Sequence, residues 1–172
     1  MILTVKGSLM KKMYSDMDNP DVQMLMKLIE KRDLQTVIRW IAACSEAFLC
    51  PSVGDVRELA DLLKKTDLSK EDKAVIKSML TAMRKRAAAE KDPALQASLR
   101  AVSTGAAVIS TPSSALGFVL YLSVAAAYHA CDPKDEETCM REAEAVIHRC
   151  RVMLEETPEA EEGKALKVKW NC

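Results

Sequence analysis

AVSTGAAVISTPSSALGFVLYLSVAAAYHAC, Ala101 to Cys131, decides the fold. It contains no charged side chain, in a chain that is 29% charged overall, and Arg100 and Asp132 close it on either side. At its middle stands Thr111-Pro112-Ser113-Ser114. Proline lacks an N–H and clashes with the preceding turn, so a helix stops here. Serine and threonine favour the start of a new one. Two buried helices are therefore predicted, Leu95 to Ile109 and Ala115 to Cys131, joined by a tight turn.

A bilayer would need about 20 predominantly apolar residues in one helix. The first limb is too short for that. The second is diluted by Ser123, His129 and several alanines. The Ala, Ser and Gly content instead suits close helix approach inside a protein core. Met1 to Val5 is too short to be the apolar part of a signal peptide, with Lys6 interrupting it. No membrane association and a cytoplasmic location are expected.

The rest of the chain is built to surround this hairpin. Its 172 residues are 49% hydrophobic but only 4% aromatic, with ten Met and five Gly. Ala, Leu, Met, Glu and Lys form helices well, and few aromatics and glycines argue against sandwiches and barrels. The length suits one domain, 1–172, with an irregular lead-in at 1–18 and an irregular tail at 159–172. All-α architecture follows: about seven helices in an antiparallel bundle or an array of helical pairs around residues 95–131.

Local signals mark most of the boundaries. Asn19-Pro20 starts the first helix, which runs to about Arg32, and Asp33 caps a second through about Leu49. In the second, Leu34, Val37, Ile38, Ile41, Ser45 and Phe48 share one face, and Trp40, Cys44 and Ala47 an adjacent one. A third helix spans about Val53 to Lys65. Ser69 with Asp72 approximates a capping box for the fourth, which turns Ile76, Met79, Leu80, Met83 and Ala87 inward. Asp92-Pro93 starts the fifth helix and Asp132-Pro133 the seventh. The seventh runs from about Lys134 to Glu156 with Cys139, Ala143, Val146, Ile147, Cys150 and Leu154 inward. Ile2-Leu3-Thr4-Val5 and Leu166 to Trp170 have strand character and could pair as a ribbon.

Net charge is zero, which offers no global pull toward nucleic acid or lipid. Arg84-Lys85-Arg86 has no aromatic residue among its neighbours, so nucleic-acid binding is not expected. The charge is unevenly spread, however. Lys64 to Arg100 is mostly basic, and Asp132 to Glu162 is strongly acidic. Glu136, Glu137, Glu142 and Glu144 are the candidate partner-binding residues, on a face suited to a basic protein.

Chemistry is sparse. His129, Cys131, Cys139, His148 and Cys150 are the residues able to hold zinc or iron. His129 and Cys131, like His148 and Cys150, are two apart, so on a helix they point about 200° from each other. Core thiols and solvent-facing histidines are the expected reading, without cofactor or metal. The six cysteines are expected as free thiols. No Gly-rich phosphate loop, nucleophile beside a base, or carboxylate with cause for a raised pKa is present, so no enzyme is expected.

Two segments carry a resemblance. The first is Leu28-Ile29-Glu30-Lys31-Arg32-Asp33 with Thr36 to Leu49 (TVIRWIAACSEAFL). The second is Met83 to Ala89 (MRKRAAA), Asp92-Pro93, Leu99 to Ala107 (LRAVSTGAA) and Ser114 to Tyr121. Together they resemble bacterial immunity proteins associated with polymorphic toxin systems. That family carries an acidic-basic lead, an alanine-rich helix with Trp and Cys-x-Glu, and small-residue helices around a histidine-bearing turn. This chain has Ser110 to Ser114 where those histidines stand, so no role for them carries over. The resemblance implies an all-helical, non-enzymatic protein that neutralises a toxin by tight complex formation; the acidic face suits a basic protein toxin by charge complementarity. Two other readings stay open: a helical interaction or homo-oligomerisation domain, and a metal- or thiol-dependent enzyme centred on His129, His148 and the cysteines.

Overall fold

The computed structural model describes residues 13–49, 54–65 and 67–170, with only the backbone of 54–57 and 60. Among them the chain is all-α, without strands: α1 (Pro20–Ile29), α2 (Leu34–Phe48), α3 (Gly54–Leu63), α4 (Lys70–Ala89), α5 (Pro93–Ala106), α6 (Ser114–Ala130) and α7 (Glu136–Glu155). A short 3₁₀ turn, Ala107–Ile109, extends α5 toward the break at Pro112.

The chargeless stretch forms the centre. Helices α5 and α6 run antiparallel: a Cβ added to Gly117 would sit 3.1 Å from Thr104, while at the far end Ala97, Ala127 and Tyr128 share a cluster. Gly105 allows the closest approach. A Cβ there would lie 2.9 Å from both Ile41 Cγ2 and Phe118 Cδ2, inside contact distance. Helix α6 buries residues around its whole circumference, including Leu116, Phe118, Leu120, Leu122 and Val124, because α5, α7, α2 and α1 all pack on it. No helix among the described residues is long and apolar enough to cross a membrane. Instead one core draws on all seven helices, from Val22 through Ile38, Leu59, Ile76, Ala101 and Phe118 to Ile147.

Capping chemistry accounts for most starts. The side chains of Asn19, Asp33 and Asp92 each accept a backbone N–H in the first turn of their helices, and Ser69 with Asp72 completes the reciprocal capping box. Lysine 65 also reaches the Asp72 carboxylate, at 2.9 Å. At α6 the break is present but the expected hydroxyl cap is not: Ser113 holds the N-cap position and its side chain makes no capping bond. The Ser114 N–H is met by the Thr111 carbonyl at 2.9 Å.

Several expectations are corrected. Helix α7 starts after Asp135, not at Asp132-Pro133. The Asp132 carboxylate accepts from Lys134 N–H and its carbonyl from Asp135 N–H, each at 2.9 Å. That is a turn with proline at its second position, and it leaves Asp135 to cap Thr138 N–H at 3.2 Å. Helix α1 ends at Ile29 rather than near Arg32: the Lys31 and Arg32 N–H groups turn to acceptors three residues back, the carbonyls of Leu28 and Ile29, both at 3.1 Å, and the carbonyls of Lys31 and Arg32 are left for the C-terminal segment. They accept from Ala160 and Leu166 N–H, both at 2.8 Å. The terminal ribbon is not formed on its C-terminal side, where residues 157–170 contain neither strand nor helix; Ile2 to Val5 lie outside the described residues. Ala47, expected inward, is exposed. Within the expected lead-in, Tyr14 is buried against Tyr128, ring centroids 5.9 Å apart and edge-on.

Helix α7 buries the six residues its spacing predicts: Cys139, Ala143, Val146, Ile147, Cys150 and Leu154. Its C-terminal half is tied to α1 and α2. The Trp40 indole donates to the Cys150 carbonyl at 2.9 Å and stands edge-on to Phe118. Arg32, only 3% exposed, donates from Nε to Thr157 Oγ1 at 2.8 Å and from Nη2 to the Leu154 carbonyl at 3.2 Å. A cation at a helix C-terminus also meets the negative end of the helix dipole.

Candidate functional site: the α6–α7 corner

The candidate partner-binding glutamates lie on the N-terminal half of α7, just beyond the turn from α6. Glu136, Glu137, Glu142 and Glu144 are all exposed. Helical geometry divides them. Glu137 and Glu144, seven residues apart, stack on one flank two turns apart. Glu142 belongs to the opposite flank, where its charge acts on Cys131. Glu137, Glu142 and Glu144 have no ion pair among the described residues. Asp132 and Asp135 extend the acidic surface around the corner. The Thr138 hydroxyl and N–H, with Arg141 beyond them, hold the Asp135 carboxyl below the usual carboxylate range, so it is charged at neutral pH.

The metal candidates do not converge. No group of three or more His, Cys, Asp or Glu among the described residues could hold a metal ion. His129 is exposed near the end of α6, and Cys131 is the residue just past that helix. His148 points to solvent on α7, its Nδ1 3.3 Å from both carboxylate oxygens of Asp21, a carboxylate that Arg151 also grips through Nε. Cys150, two residues on, is wholly buried on the other side of the helix. The divergence of residues two apart is thus realised.

Sequence reasoning missed how the thiols pair. The four described cysteines are free yet sit in twos. Cys44 of α2 neighbours Cys150 of α7; the Cys150 thiol first, and burial second, push the Cys44 thiol far up. Cys131 neighbours Cys139, and is pushed up by burial, then by that thiol and the carboxylates of Glu142 and Asp135. Tyr14, raised by burial and by Tyr128, also reaches Cys139. Inward spacing marked Cys150 and Cys139 as core residues, but nothing local could mark their partners. Comparison of the chain with protein-family models, with curated proteins and with solved structures returned no match.

Proposed function

We propose that this chain is an immunity-type binding protein that neutralises a basic protein toxin by a tight non-covalent complex, with the α6–α7 corner facing the toxin. The observation that carries this reading is the exposed acidic run from Asp132 to Glu144, unpaired at Glu137, Glu142 and Glu144 and mounted on a helix whose inner face is fully embedded. A rigid backbone limits the ordering cost of binding. Fixed negative charge speeds encounter with a basic partner and selects against acidic ones. The segments that resemble immunity proteins fall on α1–α2 and α4–α6, and α6 packs along α7. The reading is of a protein that acts by occupying a surface.

The test begins with the neighbouring genes: one that encodes a basic protein toxin is co-expressed with this chain, and absence of any such gene counts against the reading. The wild-type chain restores growth of toxin-producing cells. The variant Glu137→Lys/Glu142→Lys/Glu144→Lys associates with that toxin at least tenfold more slowly at low salt, by about the scale on which steering acts. Absence of rescue removes the immunity reading. Rescue with unchanged association kinetics removes the corner as the binding face.

A further inference from the structure

We propose that Cys131 and Cys139 form a dithiol modification site, which exchanges with a low-molecular-weight disulfide such as oxidised glutathione and closes into a bond across the α6–α7 corner. Cys131 is the C-cap of α6, in extended conformation and partly exposed. Cys139 lies in the first turns of α7, fully buried. Cys131 packs against the cluster that holds Cys139 with Tyr14, Ala127, Tyr128 and Ala143, and each thiol lies within the other's electrostatic reach. The Asp132-Pro133-Lys134-Asp135 turn holds them there: Asp135 N–H closes it onto the Asp132 carbonyl, and the same carbonyl accepts from the Cys139 thiol at 3.3 Å.

The geometry assigns the thiols different tasks. The Cys131 thiolate, reachable from solvent, attacks one sulfur of the disulfide and releases the other half as a thiolate, which takes up the proton Cys131 gave to water. The Cys139 thiolate then attacks the Cys131 sulfur of the mixed disulfide and expels the second half. Two protein thiols are oxidised and one external disulfide is reduced to two thiols. Cys44 and Cys150 also neighbour each other, but both are 0% exposed; a tripeptide disulfide has no route to either. This chemistry does not depend on the proposed function.

The experiment uses the full chain in a Cys50→Ser/Cys172→Ser background. Oxidised glutathione is added, free thiols are trapped by alkylation under denaturing conditions, and peptides are mapped by mass. The parent chain becomes lighter by two hydrogens with Cys131 linked to Cys139, while Cys44 and Cys150 stay alkylatable. The variant Cys139→Ala keeps one glutathione on Cys131, and Cys131→Ala takes none at Cys139. A parent chain with both thiols still free, or with a lasting adduct on Cys131, overturns the proposal. So does a bond formed equally fast between Cys44 and Cys150. The parent result decides the matter even if a variant fails to fold.

Discussion

The two ends of α7 are held by different means. At its C-terminal end, Trp40, Arg32 and Asp21 reach Cys150, Leu154 and Arg151 from the first quarter of the chain, and Lys31 and Arg32 clasp residues 160 and 166 through their backbone. At its N-terminal end Asp135 caps the helix, Cys139 and Ala143 pack in a cluster with Tyr14 and Tyr128, and the glutamates face solvent. One helix therefore has an anchored end and an open end. At the open end Glu137, Glu142 and Glu144 are exposed and, among the described residues, unpaired, so the charge there can vary without touching the buried face.

That contrast can be broken most forcefully at Trp40. Trp40→Ala empties a fully packed site beside Phe118 and removes the bond to the Cys150 carbonyl, and should cost about 3–5 kcal/mol in chemical denaturation. Arg32→Met keeps the stem but removes both charge-assisted bonds. Its expected cost is about 1.5–3 kcal/mol, with earlier proteolytic cleavage in 157–170. At the open end, Glu137→Ala with Glu144→Ala should shift stability by no more than ~0.5 kcal/mol. If that pair cost as much as Arg32→Met, the two ends would not differ as described.

A pH measurement sharpens the open end further. Burial, Cys139 and the carboxylates of Glu142 and Asp135 raise the Cys131 thiol, so its reactive thiolate forms at higher pH than in an unperturbed cysteine. Its alkylation by iodoacetamide should climb later on the pH axis than that of a model thiol. Glu142→Gln removes one of the lesser causes and should move the curve part of the way back.

What could be read from sequence was what neighbours decide. Asn19, Asp33, Ser69 with Asp72, and Asp92 cap within a few residues of themselves, and those helix starts were legible. So was the inner face of α7, through its spacing. Asp132 and Asp135 are both plausible caps three residues apart, and their ranking is set by the turn between them and by the Cys139 thiol. The carbonyls just past α1 bond to residues 160 and 166, which no local signal announces. Its Arg32 resembles any basic residue in a last turn until Leu154 and Thr157 arrive around it. The candidate glutamates were legible as exposed, while their division between two flanks needed the true phase of the helix. The thiol pairs were not legible, since 44 and 150 belong to helices five elements apart.

The buried Arg32 also sets a timetable. As a chain leaves the ribosome, this guanidinium emerges 122 residues before the carbonyl of Leu154 and 125 before the hydroxyl of Thr157; Trp40 precedes its acceptor by 110. Through most of translation the charge must stay hydrated and the indole unpaired, so α1 and α2 wait for α6 and α7, the helices both of them pack on. Closing so long a loop is entropically costly, and it can happen only after synthesis has passed residue 157. A nascent chain arrested before that point lacks the partners that allow Arg32 to leave water, which exposes the same apolar faces that quality-control proteases and chaperones recognise.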